Sequence, residues 1–191
     1  MIKVPGVVFA ISTAIRGLTE PEDAVLIQTP VYHPFTKSIE RNGRKVIRNS
    51  LCYENGKYVI DFDDFENKIR DNHVKLFVLC SPHNPVGRVW SREELVRMGE
   101  ICQAYGVVIV SDEIHCDFTY PGHKHTVYAS LGEKFADHSI ICTAPSKTFN
   151  LAGLQISNIF ISNSDVRRRF VRALNRTGYM SPNLMGIYAA Q

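Results

Sequence analysis

The chain has 191 residues, 45% of them hydrophobic and 21% charged, with a net charge of +3. That balance excludes a disordered, collagenous or disulfide-scaffold chain, and a chain this long buries about 70% of its unfolded surface. No apolar run approaches the roughly 20 residues that span a bilayer, and so small a net charge does not argue for nucleic acid.

From Gly6 to about Leu18, the spacing of Val7, Val8, Ile11, Ala14 and Ile15 predicts a helix. Residues 23–28 read as a short apolar strand ended by Thr29-Pro30. Tyr32 to Arg41 is amphipathic and stops at Asn42-Gly43, and a strand follows over 44–48. Residues 54–57 mark a turn, and Asp61 to Asp71 a helix with Phe62, Phe65 and Ile69 inward. The continuous apolar run 75–80 predicts a strand buried on both faces. Ser91-Arg92-Glu93-Glu94 fits a capping box, opening a helix that Gly106 closes. Strands are expected over 107–110, 139–142 and 157–161, and a basic helix over 165–175. The sequence stops at Ala189-Ala190-Gln191 in what reads as the middle of a helix.

Short apolar strands separated by helices predict an α/β fold: a three-layer αβα architecture around a mainly parallel sheet with right-handed crossovers. Ligands in such sheets bind beyond the carboxyl ends of the strands. Those ends deliver Tyr32, Asn84, Asp112 with His115, and Ser146 with Lys147 toward one rim. A lysine desolvated there can be a Schiff-base nucleophile. An Asp can hold a protonated ring nitrogen, an Asn and a His can bind a ring oxygen, and a Tyr can stack on a ring face. A helix N-terminus at Gly6, Val7 and Val8 can hold a phosphate. Together these are the parts that hold pyridoxal phosphate as an electron sink. Taken singly, each has a plainer reading: Asp112 as a helix cap, Lys147 as a surface lysine, Asn84-Pro85 as a turn, Tyr32 as a core aromatic.

Three segments, SPHNPVGRVW at 81–90, SDEIHCDF at 111–118 and APSKTFNLAGLQ at 144–155, carry a resemblance along essentially the whole chain. In that order and spacing they resemble the large domain of fold-type-I, class I/II pyridoxal-phosphate enzymes, and within these the MalY/PatB cystathionine β-lyase-like group. The resemblance implies that Lys147 carries the cofactor and moves the Cα proton. It implies that Asp112 pairs with the ring nitrogen, Asn84 with the ring oxygen, and Tyr32 with the ring face. Gly6, Val7 and Val8 would meet the phosphate, with Ser146 beside them. Typical aminotransferases carry Tyr where His115 stands, Arg where Gln155 stands, and often Ser where Ala144 stands. The His and the missing Arg are features of the β-lyase-like group.

The activity so implied is β-elimination of L-cysteine S-conjugates, such as cystathionine, to pyruvate, ammonia and a thiol. The alternatives are a class I/II aminotransferase and a non-catalytic regulatory module on the same fold. Family members are roughly twice as long. The expectation is therefore that residues 1–191 are the central, cofactor-binding part, without the N-terminal segment and the C-terminal small domain that clamps the substrate carboxylate. Alone, they are expected to be poorly active or inactive. A homodimer is expected at full length, with a small amino acid as substrate and neither nucleic acid nor membrane as partner.

Five cysteines without a CxxC pair indicate neither a disulfide framework nor a zinc site. They fit a reducing, cytoplasmic setting, as does the lack of a signal-peptide core at residues 1–5. Cys80 and Cys142 read as core residues. His123 and His125, with Asp117 nearby, read as a polar surface loop rather than a metal site. Arg167, Arg168, Arg169, Arg172 and Arg176 read as a solvated helix face.

Overall fold

The computed structural model describes residues 1–190; Gln191, the last residue of the expected terminal helix, lies outside them. The chain opens with β1 (Ile2–Val4), α1 (Val7–Leu18), β2 (Ala24–Thr29), α2 (Pro34–Arg41) and β3 (Lys45–Ser50). A small hairpin, β4 (Cys52–Glu54) and β5 (Lys57–Val59), leads to α3 (Phe62–Asp71). Then come β6 (Leu76–Cys80), α4 (Arg92–Ala104), β7 (Val108–Asp112), α5 (Glu133–Asp137) and β8 (Ser139–Thr143). The chain ends with β9 (Ser157–Phe160), α6 (Ser164–Asn175) and α7 (Leu184–Ala189).

Seven strands form the main sheet in the order β1-β9-β8-β7-β6-β2-β3. The run from β3 to β8 is parallel, while β9 is antiparallel to both β8 and β1. The antiparallel turn at β9 has a local cause. A parallel return needs a crossover, usually a helix. The segment from 144 to 156 holds only a single 3-10 turn, Ala152–Leu154.

Side-chain alternation along the strands divides the core into two layers. Val78 and Cys80, Val110, and Ile140 and Cys142 pack with α1, α2 and α6. Phe77 and Leu79, Ile109 and Ile141 pack with α3, α4, α5 and the turn Tyr128–Leu131. Each buried Leu, Ile or Phe contributes about 1.5–3 kcal/mol. Local signals place the helices. Asp61 accepts the Asp64 N–H at 2.9 Å to cap α3. Ser91 and Glu94 close the expected capping box on α4. Because α1 feeds directly into β2, it runs against the parallel strands and begins at the rim where they end.

Candidate active site

The register sets Cys80, Asp112 and Cys142 side by side on β6, β7 and β8. Alternation turns all three toward α1. The ladder continues past the strands: Ser81 N–H donates to Asp112 C=O at 2.9 Å, and Glu113 N–H to Cys142 C=O at 2.8 Å. The loops carrying Asn84, His115 and Lys147 therefore leave the rim together.

Asp112 is only 5% exposed. Burial pushes its carboxyl up to about 7, against the pull of the Ile114 N–H, which donates to Oδ1 at 3.1 Å. The Glu113 charge adds to the rise and the Lys147 charge opposes it. His115 is half-buried, and burial, then the Lys147 charge, hold it below the ordinary histidine value. The plain reading of Asp112 as a helix cap is incomplete, since the Ile114 bond closes a turn and no helix follows it directly.

Lys147 itself is exposed, so the expected desolvation is not supplied by these residues. It sits in a tight turn: Phe149 N–H donates to Pro145 C=O, and Leu151 N–H to Ser146 C=O, both at 2.9 Å. Ser146 is half-buried in the same turn. Thr148 Oγ1 donates to Asp117 Oδ2 at 2.6 Å, tying the lysine turn to the loop of His115.

Asn84 is half-buried, its N–H directed at Cys80 Sγ at 3.4 Å. The neighbouring His83 is buried and donates Nε2–H to Pro30 C=O at 2.9 Å, joining the ends of β6 and β2. Burial holds His83 below its ordinary value, so it is the neutral donor. Tyr32 follows Pro30. It is 41% exposed and stands edge-on to Phe35, with ring centroids 5.9 Å apart, so it is not a core aromatic. At the start of α1 the first helical bond runs from Ala10 N–H to Gly6 C=O, and no side chain caps the helix. The N–H groups of Val7 and Val8 thus stay outside the helical ladder at the rim. Beside Asn84 and His115 opens a cleft of about 800 Å³, walled by Pro85, Phe118 and Tyr120. Gln155, exposed and in the left-handed region at φ 48°, brings no cation to the rim.

Sequence reasoning missed the supports. Glu113 is buried on the opposite face and accepts from Ser111 Oγ and Tyr128 N–H, both at 2.9 Å, and pairs with His125 Nε2 at 3.0 Å. His125 is therefore no surface residue: its side chain is 7% exposed, and only His123 fits that expectation. The strand alternation that places Asp112 toward α1 was the available signal for Glu113. The Thr148–Asp117 and His83–Pro30 ties, 31 and 53 residues apart in sequence, had none. Among the described residues, no group of three or more His, Cys, Asp or Glu could hold a metal.

The chain is similar to known proteins in sequence and in fold. Cystathionine β-lyase PatB of Bacillus subtilis is 51% identical over 187 residues, covering 98% of this chain and 48% of the relative. Protein MalY of Escherichia coli is 33% identical, covering 97% of this chain and 47% of the relative. The crystal structure of cystalysin from Treponema denticola, which contains a pyridoxal 5'-phosphate cofactor, matches with a TM-score of 0.95 at 45% identity. The match covers 98% of this chain and 48% of that one. The chain thus spans about half the length of these relatives. The fold is that of the fold-type-I pyridoxal-phosphate-dependent enzymes. With the model for aminotransferase class I and II matched over residues 2–191, the chain belongs to that family.

Proposed function

We propose that the full-length protein is a pyridoxal-phosphate-dependent carbon–sulfur β-lyase acting on L-cysteine S-conjugates such as cystathionine. Residues 1–191 are the central part of its cofactor-binding large domain. The observation that carries this reading is the convergence of buried Asp112 and the turn of Lys147 at one rim, before the uncapped start of α1. PatB, the 51% relative, favours lyase over aminotransferase, as do His115 and Gln155 at the positions where aminotransferases carry Tyr and Arg.

The residues fit the cofactor. A carboxyl raised to about 7 by burial gains from a cationic ring nitrogen, and two free N–H groups at a helix start suit a phosphate. When bound, pyridoxal phosphate supplies an electron sink for the charge left at Cα as its proton departs. Asp112 would hold the proton on the ring nitrogen. Asn84 would donate to the ring oxygen, with His115 beside it, and Tyr32 would offer its ring to the cofactor. The Gly6–Val8 amides and Ser146 would hold the phosphate, with Gln155 rather than an arginine at position 155. Lys147 Nζ would hold the cofactor and would be the base placed to take the Cα proton of a bound amino acid.

Other features support the wider assignment. Met180, Leu184, Met185 and Tyr188 expose apolar surface that a homodimer would cover. The five free thiols suit a cytoplasmic setting. Among the described residues, no helix is long and apolar enough to cross a membrane.

The test uses full-length protein with pyridoxal phosphate and cystathionine. Pyruvate release and a yellow absorbance band, both lost in Lys147→Ala, are expected. Amino-group transfer to a keto acid without pyruvate would make the protein an aminotransferase. A folded but colourless protein would leave only the non-catalytic binding module.

A further inference from the structure

A second concavity, of about 990 Å³, lies along the outer side of α1 where it meets α6. Five arginines line it: Arg16, Arg44, Arg169, Arg172 and Arg176. Arg16 and Val8 are eight residues apart on α1, or about 12 Å at the helical rise, so this cationic end is separate from the proposed phosphate seat of the cofactor. The only carboxylate lining the cleft is Glu20, and among the described residues none of the five arginines pairs with a carboxylate.

Neutral groups hold the guanidiniums in place instead. Arg44 donates to Thr19 Oγ1 at 2.8 Å, to Thr19 C=O at 2.6 Å and to Asn42 C=O. Arg16 donates to Asn42 Oδ1 at 3.2 Å and Thr13 Oγ1 at 3.3 Å, and Arg169 to Gly17 C=O at 3.1 Å. The crowding has an electrostatic mark: burial, then the Arg44 charge, lower the pKa of Arg16.

Helix ends explain part of this charge. Arg16 closes α1, and Arg172 and Arg176 close α6. Two helix C-termini together supply about one unit of negative charge. With Glu20, that leaves about three positive charges uncompensated in one concave site. A solvated helix face does not demand this, because Arg16 and Arg44 come from elements other than α6.

We propose that this cleft binds a diphosphate group carried by a small molecule. A diphosphate brings about three negative charges and enough oxygens for several guanidinium contacts at once. Phe9 and Pro21 also line the cleft and offer apolar surface to the rest of the ligand.

The experiment is calorimetric titration of the full-length protein, saturated with pyridoxal phosphate to fill the other anion seat, with inorganic pyrophosphate. Orthophosphate is titrated in parallel. Pyrophosphate should bind about tenfold or more tightly than orthophosphate and weaken steeply with salt. Arg172→Glu/Arg176→Glu, at two exposed positions, should weaken it about tenfold or more while leaving the cofactor absorbance unchanged. Arg172→Gln/Arg176→Gln should give a smaller loss of the same sign, which separates charge from misfolding. No pyrophosphate binding, equal binding of the two anions, or binding indifferent to both variants overturns the proposal. Displacement of pyrophosphate by a single-stranded oligonucleotide overturns it in favour of a nucleic-acid surface.

Discussion

Asp112 and Glu113 are consecutive buried carboxylates that face opposite sides of the sheet, and the pleat gives them different work. Asp112 is held neutral at mild acidity, since burial raises it from 3.8 to about 7. Its proton is bound more tightly in the folded chain than in the unfolded one. The stabilisation this brings is therefore complete below 3.8 and lost as pH rises to about 7. Without cofactor, the melting temperature should fall over that window. Asp112→Asn should flatten the fall, and so should bound pyridoxal phosphate, through its ring cation. A thermal melt series across pH reads all three, and an unchanged slope in Asp112→Asn would exclude Asp112 as the titrating group. Glu113 is a structural acid. Glu113→Ala would leave the Ser111 hydroxyl, the Tyr128 N–H and the His125 ring without their acceptor. Each buried orphan costs about 1–3 kcal/mol, so urea unfolding should show a loss of roughly 3 kcal/mol or more.

Among the elements, α4 shows how closely the layers are fitted. A Cβ on Gly99 would press on Tyr128 Oη and reach the Phe135 ring at 2.6 Å. Both partners are buried and cannot swing away. Gly99→Ala should therefore lose about 1–3 kcal/mol from overpacking, despite the better helix propensity of alanine. Denaturant midpoints measure the balance, and a stabilised variant would contradict it. Most elements were legible because their signals are local: the Asp61 and Ser91 caps, the unbroken apolar runs of β6 and β8, the Gly106 stop. What escaped is either very short, as the three-residue strands β4 and β5 and the five-residue α5, or depends on partners distant in sequence. β1 has three residues, too few for a period, and exists by pairing with β9 across more than 150 positions. The direction of β9 follows from a connection without a crossover helix. The candidate site could be proposed from sequence for a related reason. Its candidate residues stand one per strand end, so finding the strands located Asn84, Asp112 and Lys147 at one rim, while the exposure of Lys147 and the ties between loops belong to three-dimensional context.

At the scale of the whole molecule, stability and function rest on different bonds. The two core layers hold the sheet, and the rim is held by a few hydrogen bonds between loops: His83 to Pro30, Thr148 to Asp117. The Thr148 bond lies at the surface, so removing it should barely affect unfolding, by about 0.5 kcal/mol. Its importance is to keep the Lys147 turn against the loop of His115 and Asp112. A catalytic group displaced by about 1 Å can lose a hundredfold in rate. In the proposed lyase, Thr148→Val should keep the melting temperature within a few degrees, speed cofactor loss, and lower kcat about tenfold or more. Thr148→Ser, which keeps the hydroxyl, should restore both. The comparison of cofactor dissociation, pyruvate turnover and thermal melting in the two variants separates positioning from folding. If Thr148→Val melts early, or if Thr148→Ser is as impaired as Thr148→Val, the tie does not position the lysine.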